Sequence, residues 1–242
     1  DDSFRLLSGG RRSSVERHRT LRATILWSYD LLSPAERTLV RRLSIFAGSF
    51  ELSAAEAVVP DDELPAADVD ALLGYLVERS MVLAESGPYG RRFRLLEVMR
   101  QFGAEQLAES GTSDLIAQRH AANVAAEIAR IAELLGGMHE VEGAHRLSEL
   151  WPNLRTAVDW ATTNEHIELA KALVGPIAAQ SFIRRGVSEV ADWAEQILNM
   201  ADPDDTDTIA LGLLWTSVRY VMTHDRAAYR RLEERHGPPD HV

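Results

Sequence analysis

Cysteine is absent from the 242-residue chain. That excludes disulfides, thiolate metal sites and cysteine nucleophiles, and it fits a protein of the reducing cytoplasm. Lysine is nearly absent too: Lys171 is the only one, and every other basic side chain is arginine. A phosphate-binding P-loop needs a lysine after a glycine-rich turn and before Ser or Thr, so that the amine reaches the β- and γ-phosphates. Lys171 instead follows Ala170 in a stretch with helical character, so no such loop is present. No apolar run reaches the length of a transmembrane helix, and no membrane partner is expected. A Gly-x-Ser-x-Gly nucleophile elbow is also missing. The opening Asp1-Asp2-Ser3-Phe4 has neither Met nor an apolar signal core, and it reads as a cut inside a longer chain.

What is present is ordinary for a globular protein: 45% hydrophobic and 26% charged residues. The net charge of −11 is unevenly spread. Residues 1–50 carry nine Arg against five Asp and Glu, or +4, which leaves 17 − 32 = −15 for the remainder. A body this acidic repels nucleic acid and anionic membranes, so any anion contact belongs to the basic N-terminal stretch or to a local patch.

Local signals divide the chain. Residues 1–8 end a helix at Ser8-Gly9-Gly10, and 11–19 form a basic linker. Apolar spacing predicts a helix over Thr20–Leu32, with Leu21, Ile25, Ser28 and Leu32 on one face. Ser33-Pro34-Ala35-Glu36 then opens a second helix: serine caps, proline takes the first helical position, and Glu36 closes a capping box. Its stripe is Leu39, Leu43 and Phe46, and Gly48 ends it. Phe50-Glu51-Leu52 reads as a short strand and Ser53–Val59 as a short helix. Val69, Leu72, Leu73, Leu76 and Val77 give a third amphipathic helix, Ala67–Ser80. Met81–Glu85, the turn Gly87-Pro88-Tyr89-Gly90 and Arg92–Leu96 make a β-hairpin, followed by a helix from Glu97 to about Ser110.

Three helices plus a hairpin form a winged helix. After Gly111 the pattern is all helix, with a stripe of Val124, Ile128, Ile131 and Leu135 stopped by Gly136-Gly137. Further helices are expected near 140–150, 153–163, 165–180, 187–200, 206–222 and 225–235. Trp160 and Trp193 stand 33 residues apart, close to a tetratricopeptide period. The fold class is therefore mainly α, a winged helix followed by a helical, tetratricopeptide-like segment.

Chemical motifs are scarce. His139 and His145 lie six residues apart and do not share a helix face, which argues against zinc, and no metal site is expected. Asp202, Asp204, Asp205 and Asp207 lack the glycine and glutamate of a calcium loop and suit a helix start. No catalytic residue is assigned. For DNA, the third helix carries Asp68, Asp70 and Glu78 against Arg79 alone. Direct DNA binding is thus disfavoured, and the candidate anion or DNA contacts are Arg11, Arg12, Arg19, Arg22, Arg91 and Arg92.

Several blocks in order resemble bacterial STAND (NB-ARC-like) signalling ATPases, including LuxR-family and AfsR-like actinobacterial regulators and nucleotide-cyclase fusions. They are Phe4 to Arg12, His18 to Ala23, Trp27 to Ser33, Phe46-Ala47-Gly48 with Phe50, and Arg94 to Phe102. The resemblance covers residues 4–110 and is loose beyond. It implies an ATPase domain before Asp1, the end of a helical subdomain and linker at 1–18, a winged helix at 19–111 and a helical array at 112–242. ATP or ADP would belong to the parent protein, and this chain would hold no cofactor.

In such proteins the winged helix packs on the bound nucleotide through a Met-His-Asp triplet after the wing. The matching residues here are Leu95, Leu96 and Glu97, without the histidine. By resemblance, Arg94, Leu96, Glu97 and Arg100 are the nucleotide-sensing candidates, with either arginine supplying charge. The expected function is a non-catalytic switch and sensor fragment that docks on its own ATPase domain and takes protein or peptide on the helices. The alternative is a winged-helix DNA-binding regulator that uses its own wing and third helix.

Overall fold

The computed structural model describes residues 27–178 and 187–202, with scattered residues between 205 and 234. The expected helix end at 1–8, the linker and most of the Thr20–Leu32 helix lie outside the described residues; 27–30 are helical. So do most of the helices expected at 206–222 and 225–235. The chain divides into two compact units, Asp1–Ile116 and Ala117–Val242.

In the first unit, helix α1 (Pro34–Leu43) starts as its sequence dictates. The Glu36 backbone N–H donates to Ser33 Oγ, and the Ser33 N–H donates to Glu36 Oε2 at 2.7 Å. Leu39, Val40 and Leu43 are fully buried, while Phe46 lies beyond the helix end and still enters the core. The short strand expected at Phe50–Leu52 shrinks to one residue. Phe50 exchanges two backbone bonds with Phe93, at 2.8 and 2.9 Å, and Glu51 already caps α2 (Leu52–Val58). Helix α3 (Ala66–Glu78) follows, burying Val69, Leu73 and Leu76.

Its end is a Schellman-type stop, with Met81 N–H donating to Leu76 O and Ser80 taking the left-handed conformation at φ 58°. Strands β1 (Val82–Gly87) and β2 (Gly90–Leu95) pair antiparallel, with Val82 opposite Leu95 and Gly87 opposite Gly90. Helix α4 (Glu97–Glu109) then packs on α1. Their approach is close at Gly103, where a Cβ would come within 3.0 Å of Ser44 Cβ and Val40 O. Phe46, Phe50 and Phe93 stack in series, and Tyr29 meets Phe102 edge-on at 4.9 Å. The order α1, bridge, α2, α3, hairpin is that of a winged helix-turn-helix.

Helix α5 (Ser113–Leu135) stops at Gly136-Gly137 as the sequence predicts. Helix α6 (Glu140–Thr163) runs antiparallel to it: Leu135 lies by Gly143, Glu127 by Arg146, and His120 bonds Asn153. The two helices expected at 140–150 and 153–163 are thus one. Pro152 sits inside α6 without ending it. A mid-helix proline is unfavourable by about 3 kcal/mol. Burial of Leu150, Trp151, Asn153 and Leu154 on either side offsets it. Helix α7 (Ile167–Val174), a 3-10 turn (Gly175–Ile177) and α8 (Val187–Met200) complete the described core. Trp193 is buried against Trp151 at 5.5 Å, whereas Trp160 is half-buried and stacks on His166. The 33-residue tryptophan interval therefore does not mark equivalent places in a repeat.

Candidate nucleic-acid interface

The turn between α2 and α3 is held from inside. Arg42 of α1, only 2% exposed, donates from Nη1 to Val59 O at 2.7 Å and from Nη2 to the Asp61 carboxylate. Asp61 also accepts from the backbone N–H of Glu63 and Leu64. The Arg42 bond, with these N–H groups, takes the Asp61 carboxyl down to about 2. The start of α3 is thereby tied to α1. Its far end is tied by Arg79, which donates to Glu36 at 2.8 Å. Burial works to raise the Glu36 carboxyl, but bonds from Ser33 and Arg79 bring it below the ordinary value.

The outer face of α3 exposes Ala67, Ala71, Gly74 and Glu78, flanked by Asp68, Asp70 and Tyr75. Between Ala66 and Glu78 there is no basic residue. Duplex DNA presents phosphates at either side of the major groove, and exposed carboxylates on the inserted helix oppose that approach.

The wing differs. Alternation on β2 turns Phe93 and Leu95 inward, and Arg94 is exposed on the other face. Arg94 makes a long 3.8 Å pair with Glu85, itself 70% exposed. Arg91 is exposed, its guanidinium over the Phe93 ring at 5.3 Å. Arg92, although a candidate contact by sequence, is committed internally. It donates to Ser49 Oγ at 2.8 Å and Ser49 O at 3.0 Å, and reaches Glu51 at 3.4 Å. These bonds fasten the wing to the segment that leads into α2. Arg11, Arg12, Arg19 and Arg22 lie outside the described residues.

Of the four nucleotide-sensing candidates, Leu96 is partly buried against the core at the strand–helix junction. Glu97 and Arg100 bond each other twice at 2.9 Å, with Gln101 adding a third bond to Glu97. The Arg100 and Gln101 bonds lower the Glu97 carboxyl. Arg94, on the far side of the wing sheet from Phe93 and Leu95, is not brought into that pair. Sequence reasoning passed over Arg42 and Asp61. An Arg on a core-facing helix and an Asp in an acidic loop look like two surface charges until the fold joins them.

Elsewhere, His145 pairs with Glu149, and His139 lies in the turn before α6. Among the described residues, no group of three or more His, Asp or Glu is placed to hold a metal ion. Asp205 accepts from Thr208 N–H and hydroxyl and from Lys171, as the residue opening a helix does. No described helix is long and apolar enough to cross a membrane.

Residues 32–108 match the family model of a winged helix-turn-helix domain. Over 198 residues the chain is 38% identical to the protein named "Putative HTH-type transcriptional regulator Rv0890c" of Mycobacterium tuberculosis (strain ATCC 25618 / H37Rv). That alignment covers 82% of this chain and 22% of the relative. The protein of the same description, Mb0914c, of Mycobacterium bovis matches to the same extent. An uncharacterized protein of M. tuberculosis, Rv0894, is 38% identical over 121 residues, or 50% of this chain and 31% of that protein. No solved structure matches the chain. It thus spans about a fifth of the length of the first of these relatives. The matches favour the DNA-binding alternative over the reading as part of a signalling ATPase, and they count against the expectation that disfavoured DNA without testing it.

Proposed function

We propose that this chain is a non-catalytic segment of a winged-helix transcriptional regulator, and that its contact with DNA is made by the wing rather than by α3. The family match and the names of the mycobacterial relatives support the regulator reading. The charge pattern carries the choice of surface: Arg91 and Arg94 are exposed on the wing, while α3 exposes carboxylates. Each phosphate neutralised by arginine adds about 0.9 to the slope of log affinity against log salt. Duplex binding measured by fluorescence anisotropy across a salt series tests this. Arg91→Gln with Arg94→Gln should weaken binding and flatten the slope, while Asp70→Asn should change little. Duplex binding that is salt-independent, or that survives loss of both arginines, would overturn it.

A second reading follows from the same helix. The Ala67, Ala71 and Gly74 ridge is narrow, and a Cβ added at Gly74 would meet nothing within 4 Å. Such a face suits close approach by another protein domain. The winged helix would then be a docking element on an ATPase domain elsewhere in a longer protein, ATP or ADP would bind there, and the helical unit would receive a protein or peptide. Duplex DNA failing to bind, together with capture of the separately expressed upstream region, would favour it.

A further inference from the structure

The tip of the wing carries charge of one sign. From Gly87 to Arg91 the chain runs Gly-Pro-Tyr-Gly-Arg, without a carboxylate. The outer face of the strands behind it presents Glu85, 70% exposed. Register puts Arg91 opposite Ser86, one step from the Gly87–Gly90 pair that closes the hairpin. Its guanidinium lies over the Phe93 ring at 5.3 Å. Stacking on a ring face uses none of the planar group's N–H donors, so they stay available at its edge. Arg94 stands further back, about 10 Å along the strand, and shares its charge with Glu85 at 3.8 Å.

Helix α3 lacks the chemistry for reading purine edges. Those edges are read in the major groove by donors from Arg, Lys, Asn or Gln, and Ala66–Glu78 contains none of them. A two-stranded ribbon can also enter the major groove. The inner face of the wing is packed on the core, so there it would turn the Glu85 face toward the bases. The minor groove is about 6 Å wide, too narrow for the ribbon but open to a side chain at its tip.

We propose that this chain selects A·T-rich duplex by its minor groove, with Arg91 entering the groove and Arg94 on a flanking phosphate. The inference rests on the reading of the wing as the DNA contact. A guanidinium only donates, and an A·T minor groove offers only acceptors, adenine N3 and thymine O2. A G·C pair adds the guanine N2 amino group, a donor that a guanidinium cannot accept from. Runs of A·T also narrow the groove and deepen its negative potential, which favours a weakly hydrated cation. Arg94 adds affinity without sequence preference, because phosphates are the same in every duplex.

The test uses the full chain and three duplexes of equal length at one salt concentration, with a central run of A·T, G·C or inosine·cytosine. Inosine lacks the N2 amino group, so the third duplex combines the major groove of G·C with a minor groove of acceptors. By fluorescence anisotropy, the A·T and inosine·cytosine duplexes should bind alike and several-fold more tightly than G·C. Arg91→Gln should erase that preference. Arg94→Gln, the same loss of charge on the same strand, should weaken all three duplexes by one factor and leave the preference intact. The proposal is overturned if inosine·cytosine binds like G·C, which marks major-groove reading, if the three bind equally, or if the preference survives Arg91→Gln. Failure of the underlying reading looks different: no duplex binds, or binding is unchanged without both arginines, and the proposal falls with it.

Discussion

Two buried polar pairs, one in each unit, show how differently the halves of this molecule are held. In the winged-helix unit the pair is charged: Arg42 against Asp61, pinning an irregular loop whose backbone has no helix to satisfy it. The helical unit has a neutral pair, His120 with Asn153, set between two long helices that already satisfy their own backbone groups. Around it lie aliphatic side chains and the Trp151–Trp193 contact. In the first unit charge fixes a loop; the helical unit also buries a charge, Arg219, paired with Asp192 and Glu195 of α8, beside its apolar core.

The sharpest way to break that contrast is Trp151→Ala. Removing a fully buried tryptophan destabilises by about 4 kcal/mol. Hydrogen exchange should speed up in α6, α7 and α8 while α1 to α4 keep their protection. Arg42→Ala should do the reverse. It strands Asp61, which is 29% exposed, so the loss should be about 3 kcal/mol, at the low end for a broken buried pair. Exchange should rise first at 59–66, read against an unchanged α6.

Acid separates the units by a third route. Burial lowers the His120 pKa from 6.5 to about 4, with the Asn153 bond opposing the shift. The unfolded chain therefore binds the proton first, and the stability that neutral His120 supports is complete above pH 6.5 and drains as pH falls toward 4, by at most about 3 kcal/mol. Asp61 is depressed from 3.8 to about 2, so its contribution holds above pH 3.8 and disappears only as pH drops toward 2. Thermal unfolding followed between pH 7 and 3 should show the helical unit weakening first, and His120→Gln should flatten that early loss.

The smallest effect concerns helix ends that the units share. Ser80 and Glu165 both take the left-handed conformation, at φ 58°, where glycine is unstrained. Ser80→Gly and Glu165→Gly should each stabilise their own unit by up to about 1 kcal/mol in denaturant unfolding.

What the sequence made legible was local. Ser33 and Glu36 are three residues apart, Gly136 and Gly137 are adjacent, and the Pro88-Tyr89 turn sits between alternating strands, so each signal reads within one turn of chain. The long-range choices stayed hidden. The sequence does not say that Phe50 finds Phe93, that Arg92 folds back onto Ser49, or that core packing carries α6 through Pro152. Each depends on a partner tens of residues away or on a summed burial that outweighs a local preference. The wing arginines illustrate the limit well: three near-neighbours of one type have three different fates, set by strand alternation and by what stands opposite.

Met138, in the turn between α5 and α6, is 99% exposed in a protein without thiols. Replacing it with cysteine would give a single attachment point for a fluorophore or spin label, at a position where substitution disturbs almost no packing. The tip of the helical hairpin thus offers a reporter of whatever approaches this unit, with no background chemistry to remove first.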